Sequence, residues 1–301
     1  MASIRARIVN AVLPLLGIKS FFSEPDKVAG RLAKMRARKP QRPSAKMWRR
    51  FDITEDTSRG YSVITVAPKG ARRDGAPHLL YLHGGGYIMD VEAVHWNAVS
   101  RLCEMLGASA TVPVYPLAPE HKAPEILSAM RALYADIAES YGAKNITIMG
   151  DSAGGGMSVA LASMIRDDGG DLPAKLVLFS PWLDATGTAE GQAEIEKKDN
   201  MLAIVGLRGA GKMYAGGLEL TDPRISPLFG DYSGLPPMAI FAGTSDILVV
   251  DARRLVAKLQ AQGSPPHEYH EYADMFHVWM LIGIPEGKQA LRQTAEFIGR
   301  A

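Results

Sequence analysis

Residues 145–156 read NITIMGDSAGGG. A short apolar run is a strand signal, and a helical pattern begins immediately afterwards, over 153–167. One serine, Ser152, stands at the junction, with Gly150 and Gly154 two residues to either side. A chain that passes from buried strand to helix in so few residues must turn sharply, and the crowding leaves room only for small flanking residues. The turn lifts the serine hydroxyl to the carboxyl end of a sheet. It also aims the amino terminus of the next helix at the same point, where the helix dipole favours developing negative charge. This Gly-x-Ser-x-Gly occurs once in the chain. The competing reading is a chance match, and the strand before and helix after weigh against it.

The rest of the chain fits such a sheet. Strand-like segments MWRRFDIT (47–54) and GYSVITVA (60–67) are followed by HLLYLH (78–83), SATVPVY (109–115), NITIM (145–149), KLVLFS (175–180), MAIFAG (238–243) and HEYHEY (267–272). Helical patterns over 92–107, 122–141, 153–167, 247–262 and 286–299 separate the later ones. Strands in alternation with helices predict an α/β fold, a mostly parallel eight-stranded sheet with helices on both faces. Residues 184–225 form a longer gap than a crossover needs, and such insertions are often lids or binding elements.

Charge is uneven. Residues 1–50 contain 13 Lys or Arg against Glu24 and Asp26, whereas the other 251 residues contain 21 basic and 30 acidic side chains. The basic arm admits contact with nucleic acid, with a membrane surface or with the acidic body itself. It lacks the aromatic interleaving of single-strand platforms, which makes nucleic acid the weakest of these. Its apolar positions Ile4, Ile8, Val12 and Leu16 recur at helical spacing and predict an amphipathic helix packed on the protein itself. No A-x-A-like cleavage site follows, and the run is short and interrupted by Pro14, which argues against a secretory signal or a spanning helix and leaves a transit or membrane-associated role open. The single cysteine, Cys103, fits a reducing, cytoplasmic compartment and is assigned no chemistry.

A lone serine is a weak nucleophile and needs a base, an acid to orient that base, and donors for the oxyanion. Gly84-Gly85-Gly86 follow a strand end in YLHGGGY and can turn backbone N–H groups inward, and the Ala153 N–H directly follows the nucleophile. The acid and base should follow in the order Ser, Asp, His. Asp246 lies just past the strand MAIFAG, and His277 lies beyond the last strand. Asp251, a helical turn further on, is the rival acid and reads as a surface or capping charge. His267 and His270 lie within HEYHEY, three apart and so on opposite strand faces, where neither can reach the elbow. His83 is placed to fix the glycine loop, while His78, His95 and His121 read as surface or helix-edge residues.

Four blocks, HGGGY (83–87), YPLAPEHKAP (115–124), GDSAGGG (150–156) and the pair GTSDIL with FHVW, resemble the hormone-sensitive-lipase-like branch of the α/β-hydrolases, bacterial carboxylesterases among them. The resemblance spans roughly residues 75–300. It departs at Pro116, where a basic residue is common, and in the absence of a glycine just before Phe276. It implies that Gly85 and Gly86 supply oxyanion N–H groups beside Ala153. It also implies a helical cap, built from residues 1–45 and an insert at 184–225, on a catalytic domain over 46–301. The expected activity is hydrolysis of short- to medium-chain acyl esters through an acyl-enzyme on Ser152, with His277 as base and Asp246 as its partner. Tyr87, Trp182, Met201, Leu202 and Phe276 are the expected pocket lining. A lactone or amide hydrolase with the same triad, or a silent ligand-binding protein on this fold, are the alternatives. No cofactor and no metal is expected. The expected partner is a small-molecule ester, with no nucleic acid, no transmembrane segment and a homodimer left open.

Overall fold

The computed structural model describes residues 2–70, 75–263 and 266–300. Four helices lead in: α1 (Ile4–Val12), α2 (Ile18–Ser23), α3 (Pro25–Arg36) and α4 (Ala45–Arg50). The sheet follows as β1 (Phe51–Asp56), β2 (Ser62–Pro68), β3 (His78–Leu82), β4 (Ser109–Val114), β5 (Ile146–Asp151), β6 (Lys175–Phe179), β7 (Met238–Gly243) and β8 (His267–Tyr272). Helices α5 (Ala93–Leu106), α6 (Ala123–Tyr141) and α7 (Ala153–Asp167) connect its first half. Helices α8 (Gln192–Glu196) and α9 (Ile204–Ala215) lie in the insert, and α10 (Val249–Gln262) and α11 (Pro285–Gly299) complete the chain.

The spatial strand order is β1-β2-β4-β3-β5-β6-β7-β8. β2 runs antiparallel to both of its neighbours and every later pairing is parallel. The central strands are buried on both faces, which explains their near-continuous apolar runs. Alternate residues then serve opposite cores. Leu80, Ile148, Leu178 and Ile240 pack with α6, α7 and α10, while Leu79, Met149, Val177 and Phe241 pack with α5 and α11. From β3 the chain crosses to β4 on one side, and from β5 it crosses to β6 on the other. Between the neighbours β3 and β5 the winding therefore reverses, and such a switch point opens a crevice at the carboxyl ends of the strands. The glycine loop leaves β3 there and Ser152 leaves β5 there.

Two sequence expectations about the amino-terminal segment are corrected. The strand expected over 47–54 starts only at Phe51, because the Ser44 hydroxyl accepts the Met47 N–H and caps α4. Helix α1 forms as expected, but its Ile4, Ile8 and Val12 side chains, and that of Leu16 in the turn after it, point outward, and Ala6 and Leu13 are the buried contacts. Polar anchors set this orientation. The Ser3 N–H and hydroxyl donate to Glu286 at the start of α11, and Asn200 donates to the Asn10 carbonyl. Periodicity identifies an apolar face but not what covers it. Helix α9 packs on α2 and α3, and the Lys19 ammonium donates to the carbonyls of Glu196 and Asp199, so the leading helices and the insert meet at the carboxyl end of the sheet.

Candidate active site

Ser152 has φ 53° and ψ −120°, a conformation costly for a side-chain-bearing residue, and α7 starts at the next residue. Its N–H donates to the Phe179 carbonyl at 2.8 Å, and its carbonyl accepts the Trp182 N–H at 2.9 Å, so β6 and the loop after it hold the apex. The flanking glycines follow from sterics. A Cβ on Gly150 would lie 2.4 Å from the Gly154 backbone, and one on Gly154 would lie 1.9 Å from the Leu82 carbonyl oxygen.

The glycine loop is tied to the elbow by Asp151. Its Oδ1 accepts the Gly84 N–H at 3.0 Å and the Tyr81 hydroxyl at 2.6 Å. A Cβ on Gly84 would strike Asp151 Oδ2 at 2.2 Å. Gly85 and Gly86 have φ of 104° and 63°, which glycine adopts freely. Burial alone would raise the Asp151 pKa, but His95 and Tyr81 outweigh it and hold the carboxyl below the usual carboxylate range. The Glu92 N–H donates to His95 Nδ1 at 2.8 Å, which leaves Nε2 as the protonated nitrogen, 3.5 Å from Asp151 Oδ2. His83 Nδ1 donates to the Gly84 carbonyl, its ring stacks on Tyr115, and burial lowers its pKa to about 3, so it stays neutral. The expectation that His78 and His95 are peripheral is corrected. His95 is buried against Asp151, and His78 is buried between the Ser109 and Thr111 hydroxyls.

Asp246 lies in the turn after β7 and His277 in the loop after β8. His277 Nδ1 donates to Asp246 Oδ2 at 2.9 Å, both groups being buried. Burial pulls the His277 pKa down, but the Asp246 carboxylate together with the charges of Asp199 and Asp151 outweighs this and raises it above the ordinary 6.5. Ser152 and His277 face one cavity, and no direct hydrogen bond joins them among the described residues. The turn after β8 is strained without glycine, with Val278 at φ 50°, and the Val278 N–H donates to Ser180 Oγ at 3.2 Å. His270 stacks on Phe241 and bonds Glu268. Neither it nor His267 borders the cavity.

Two carboxylates carry more than their sequence context suggested. Asp251 is corrected from a surface charge to a fully buried one. Its Oδ2 accepts the Leu183 and Asp184 N–H groups at 3.0 Å each, and burial pushes its pKa up to about 8. Asp199, in the insert, belongs to no sequence motif. Its Oδ1 accepts the Met201 and Leu202 N–H groups and its Oδ2 accepts the Ile247 N–H. Burial and the adjacent Asp246 push its pKa up to about 6. Its only sequence signal is a carboxylate two residues before the cavity-lining Met201.

The cavity measures about 300 Å³ and is bordered by Ser152, Gly85, Gly86 and His277. Ile18, Met201, Leu202, Leu207, Val278 and Leu281 form its apolar wall. Of the five residues expected to line a pocket, Met201 and Leu202 border this cavity, whereas Tyr87, Trp182 and Phe276 do not. Tyr87 has φ 64°, stacks on Tyr214 at 3.6 Å and approaches Trp182 at 5.6 Å, inside the core beneath α7. Phe276 is buried in the opposite core. An aromatic residue type does not tell a core position from a cavity wall. Among the described residues, no group of three or more His, Cys, Asp or Glu side chains is placed to hold a metal, and no helix is long and apolar enough to cross a membrane.

The family described as alpha/beta hydrolase fold matches residues 79–281. An acetyl-hydrolase of Streptomyces hygroscopicus is 34% identical over 234 residues, covering 77% of this chain and 78% of the relative. An esterase of Acinetobacter venetianus is 33% identical over 223 residues, covering 73% of each. Among solved structures, that of a hormone-sensitive lipase from a metagenome library matches over 97% of both chains, with a TM-score of 0.80 and 28% sequence identity.

Proposed function

The chain belongs to the hormone-sensitive-lipase-like branch of the α/β-hydrolase family, and on that basis we propose that it is a serine carboxylesterase for short- to medium-chain acyl esters. The observation that carries this reading is the buried His277–Asp246 pair opening into the cavity that holds Ser152 and the glycine loop. Ser152 Oγ attacks the ester carbonyl carbon as its proton passes to His277. Asp246 keeps the Nδ1 proton in place, fixes the tautomer and stabilises the imidazolium. The N–H groups of Gly85, Gly86 and Ala153 receive the oxyanion, each worth about 10²–10³ in turnover. Collapse breaks the C–O bond, and the alcohol leaves with the proton from His277. Water, deprotonated by the same His277, then attacks the acyl-enzyme and releases the acid and free Ser152.

The cavity volume of about 300 Å³ lies at the lower end for small-molecule sites, which favours short acyl groups, and the name of the Streptomyces relative accords with that. Residues 1–45 and 184–225 act in this reading as a cap on the body formed by 46–301, supplying Ile18, Met201, Leu202 and Leu207 to the wall. The test is stoichiometric labelling by an active-site phosphonate, with turnover of p-nitrophenyl esters of increasing chain length. We expect the wild type to be labelled once and Ser152→Ala not at all, with butyrate turned over faster than palmitate. Labelling of the alanine variant would remove Ser152 from its role, and faster palmitate turnover would overturn the chain-length reading.

A further inference from the structure

Ile4, Ile8 and Val12 recur every four residues along α1, and Leu15 and Leu16 extend the row through the next turn. Their exposures are 74, 59, 46, 83 and 63%. Single exposed aliphatics are ordinary, but five within thirteen residues form a contiguous apolar surface that calls for a partner. The row is held outward rather than left loose. Ala6 and Leu13 are buried on the opposite side, Ser3 is bonded to Glu286, and Asn10 is bonded to Asn200. It also runs to the cavity. Ile18, two residues past Leu16, lines the wall with Ser152 and His277, and Asn200 directly precedes the wall residues Met201 and Leu202.

The charge on α1 itself is of one sign. Arg5 and Arg7 are exposed on α1 and make no ion pair among the described residues, and residues 1–50 contain 13 basic side chains against two acidic ones. We propose that the α1 row docks the protein on an anionic lipid bilayer, with its aliphatic side chains at the acyl boundary and Arg5 and Arg7 among the headgroups. An apolar face flanked by arginines is the pattern of a helix that lies in a membrane interface, and anionic headgroups attract such a segment. A second copy using the same row would bring two basic arms together, which disfavours that occupant. Docking brings the end of the row at Leu16, two residues from the wall residue Ile18, to the bilayer, which shortens the path of a membrane-dissolved ester to the cavity. This last consequence rests on the esterase reading, whereas the docking itself does not.

The experiment is flotation of the full chain with vesicles of phosphatidylcholine alone and of phosphatidylcholine with about one-third phosphatidylglycerol. It compares the wild type with the double variant Ile8→Glu/Leu15→Glu, in low and high salt. Both positions are exposed and outside the cavity wall, so the double variant should keep its circular dichroism and its turnover of water-soluble p-nitrophenyl acetate. The wild type should float with the anionic vesicles and be released by salt, and the double variant should partition at least about tenfold less. Absence of wild-type binding, or equal binding by the variant, would overturn the proposal. So would light scattering that finds a wild-type dimer made monomeric by the two substitutions. Retained flotation in a chain that turns over no ester would instead count against the esterase reading alone.

Discussion

Asp199 and Asp246 hold successive amides of one buried turn. The Ile247 N–H donates to Asp199 Oδ2 and the Leu248 N–H to Asp246 Oδ1, each at 2.9 Å. Asp246 uses its other oxygen for His277, so the negative charge of Asp199 stands just behind the acid–base pair and adds to the upward shift of the His277 pKa. In the proposed mechanism Asp199 is expected to act as a positioning residue.

A general base works when neutral, so in the proposed mechanism an imidazole raised above 6.5 should place the acid limb of the pH–rate profile above that value. Asp199→Asn removes one raising charge and should move the limb of kcat/KM to lower pH. A profile with an unmoved limb would show that Asp199 has no electrostatic hold on His277.

Among the histidines after Asp246, only His277 borders the cavity. His277→Ala should lose about 10⁴-fold or more in kcat, and Ser152→Ala/His277→Ala should be little worse than either single variant, because the two act as a unit. His267→Ala and His270→Ala should stay within a few-fold of wild type. A dead His270→Ala with an active His277→Ala would force the triad to be redrawn.

Glycine substitutions should separate by what a Cβ would meet. Gly154→Ala would drive a methyl to 1.9 Å from the Leu82 carbonyl oxygen and should destabilise the protein by roughly 3 kcal/mol or more. Gly209→Ala, inside α9 with nothing within 4 Å of the added carbon, should stabilise it by about 0.5–1 kcal/mol. Chemical denaturation measures both, and a neutral Gly154→Ala would contradict the elbow geometry.

Burial raises the Asp251 pKa to about 8, against about 3.9 in an unfolded chain. Between those values the folded state holds a proton that the unfolded state has released, so this residue makes stability fall as pH rises from about 4 to 8. Asp251→Asn should flatten that slope. Its amide oxygen can accept the Leu183 and Asp184 N–H groups, and its NH₂ faces Gln192, whose Oε1 is buried without a partner and can be turned to accept it. Asp251→Ala strands those donors and should cost about 2–4 kcal/mol. Thermal melts of the three proteins across that pH range provide the comparison.

The elbow was legible because its constraint is local. Gly150 and Gly154 must be small for reasons contained in a few consecutive residues and the adjacent strand. The sheet was legible because strands buried on both faces leave unmistakable apolar runs. Asp199 was not legible, since its role depends on meeting Ile247, 48 residues away. Asp251 resembles any acid in the first turn of a helix until the segment around Leu183 is laid against it. The side of α1 that faces the body is decided by bonds to Glu286 and Asn200, far along the chain, and Tyr87 turns into the core because its backbone adopts a positive φ.

The Ser3–Glu286 contact closes a separation of 283 residues. A ribosome delivers α1 well before its anchors, so early in synthesis this helix has neither Glu286 nor Asn200 to grip. Its isoleucines and leucines spend that interval next to unfinished chain, where stray apolar contacts are easiest to make. Early local helix formation, aided by the Ser3 cap on the Ala6 N–H, gives the segment a form to keep until α11 arrives.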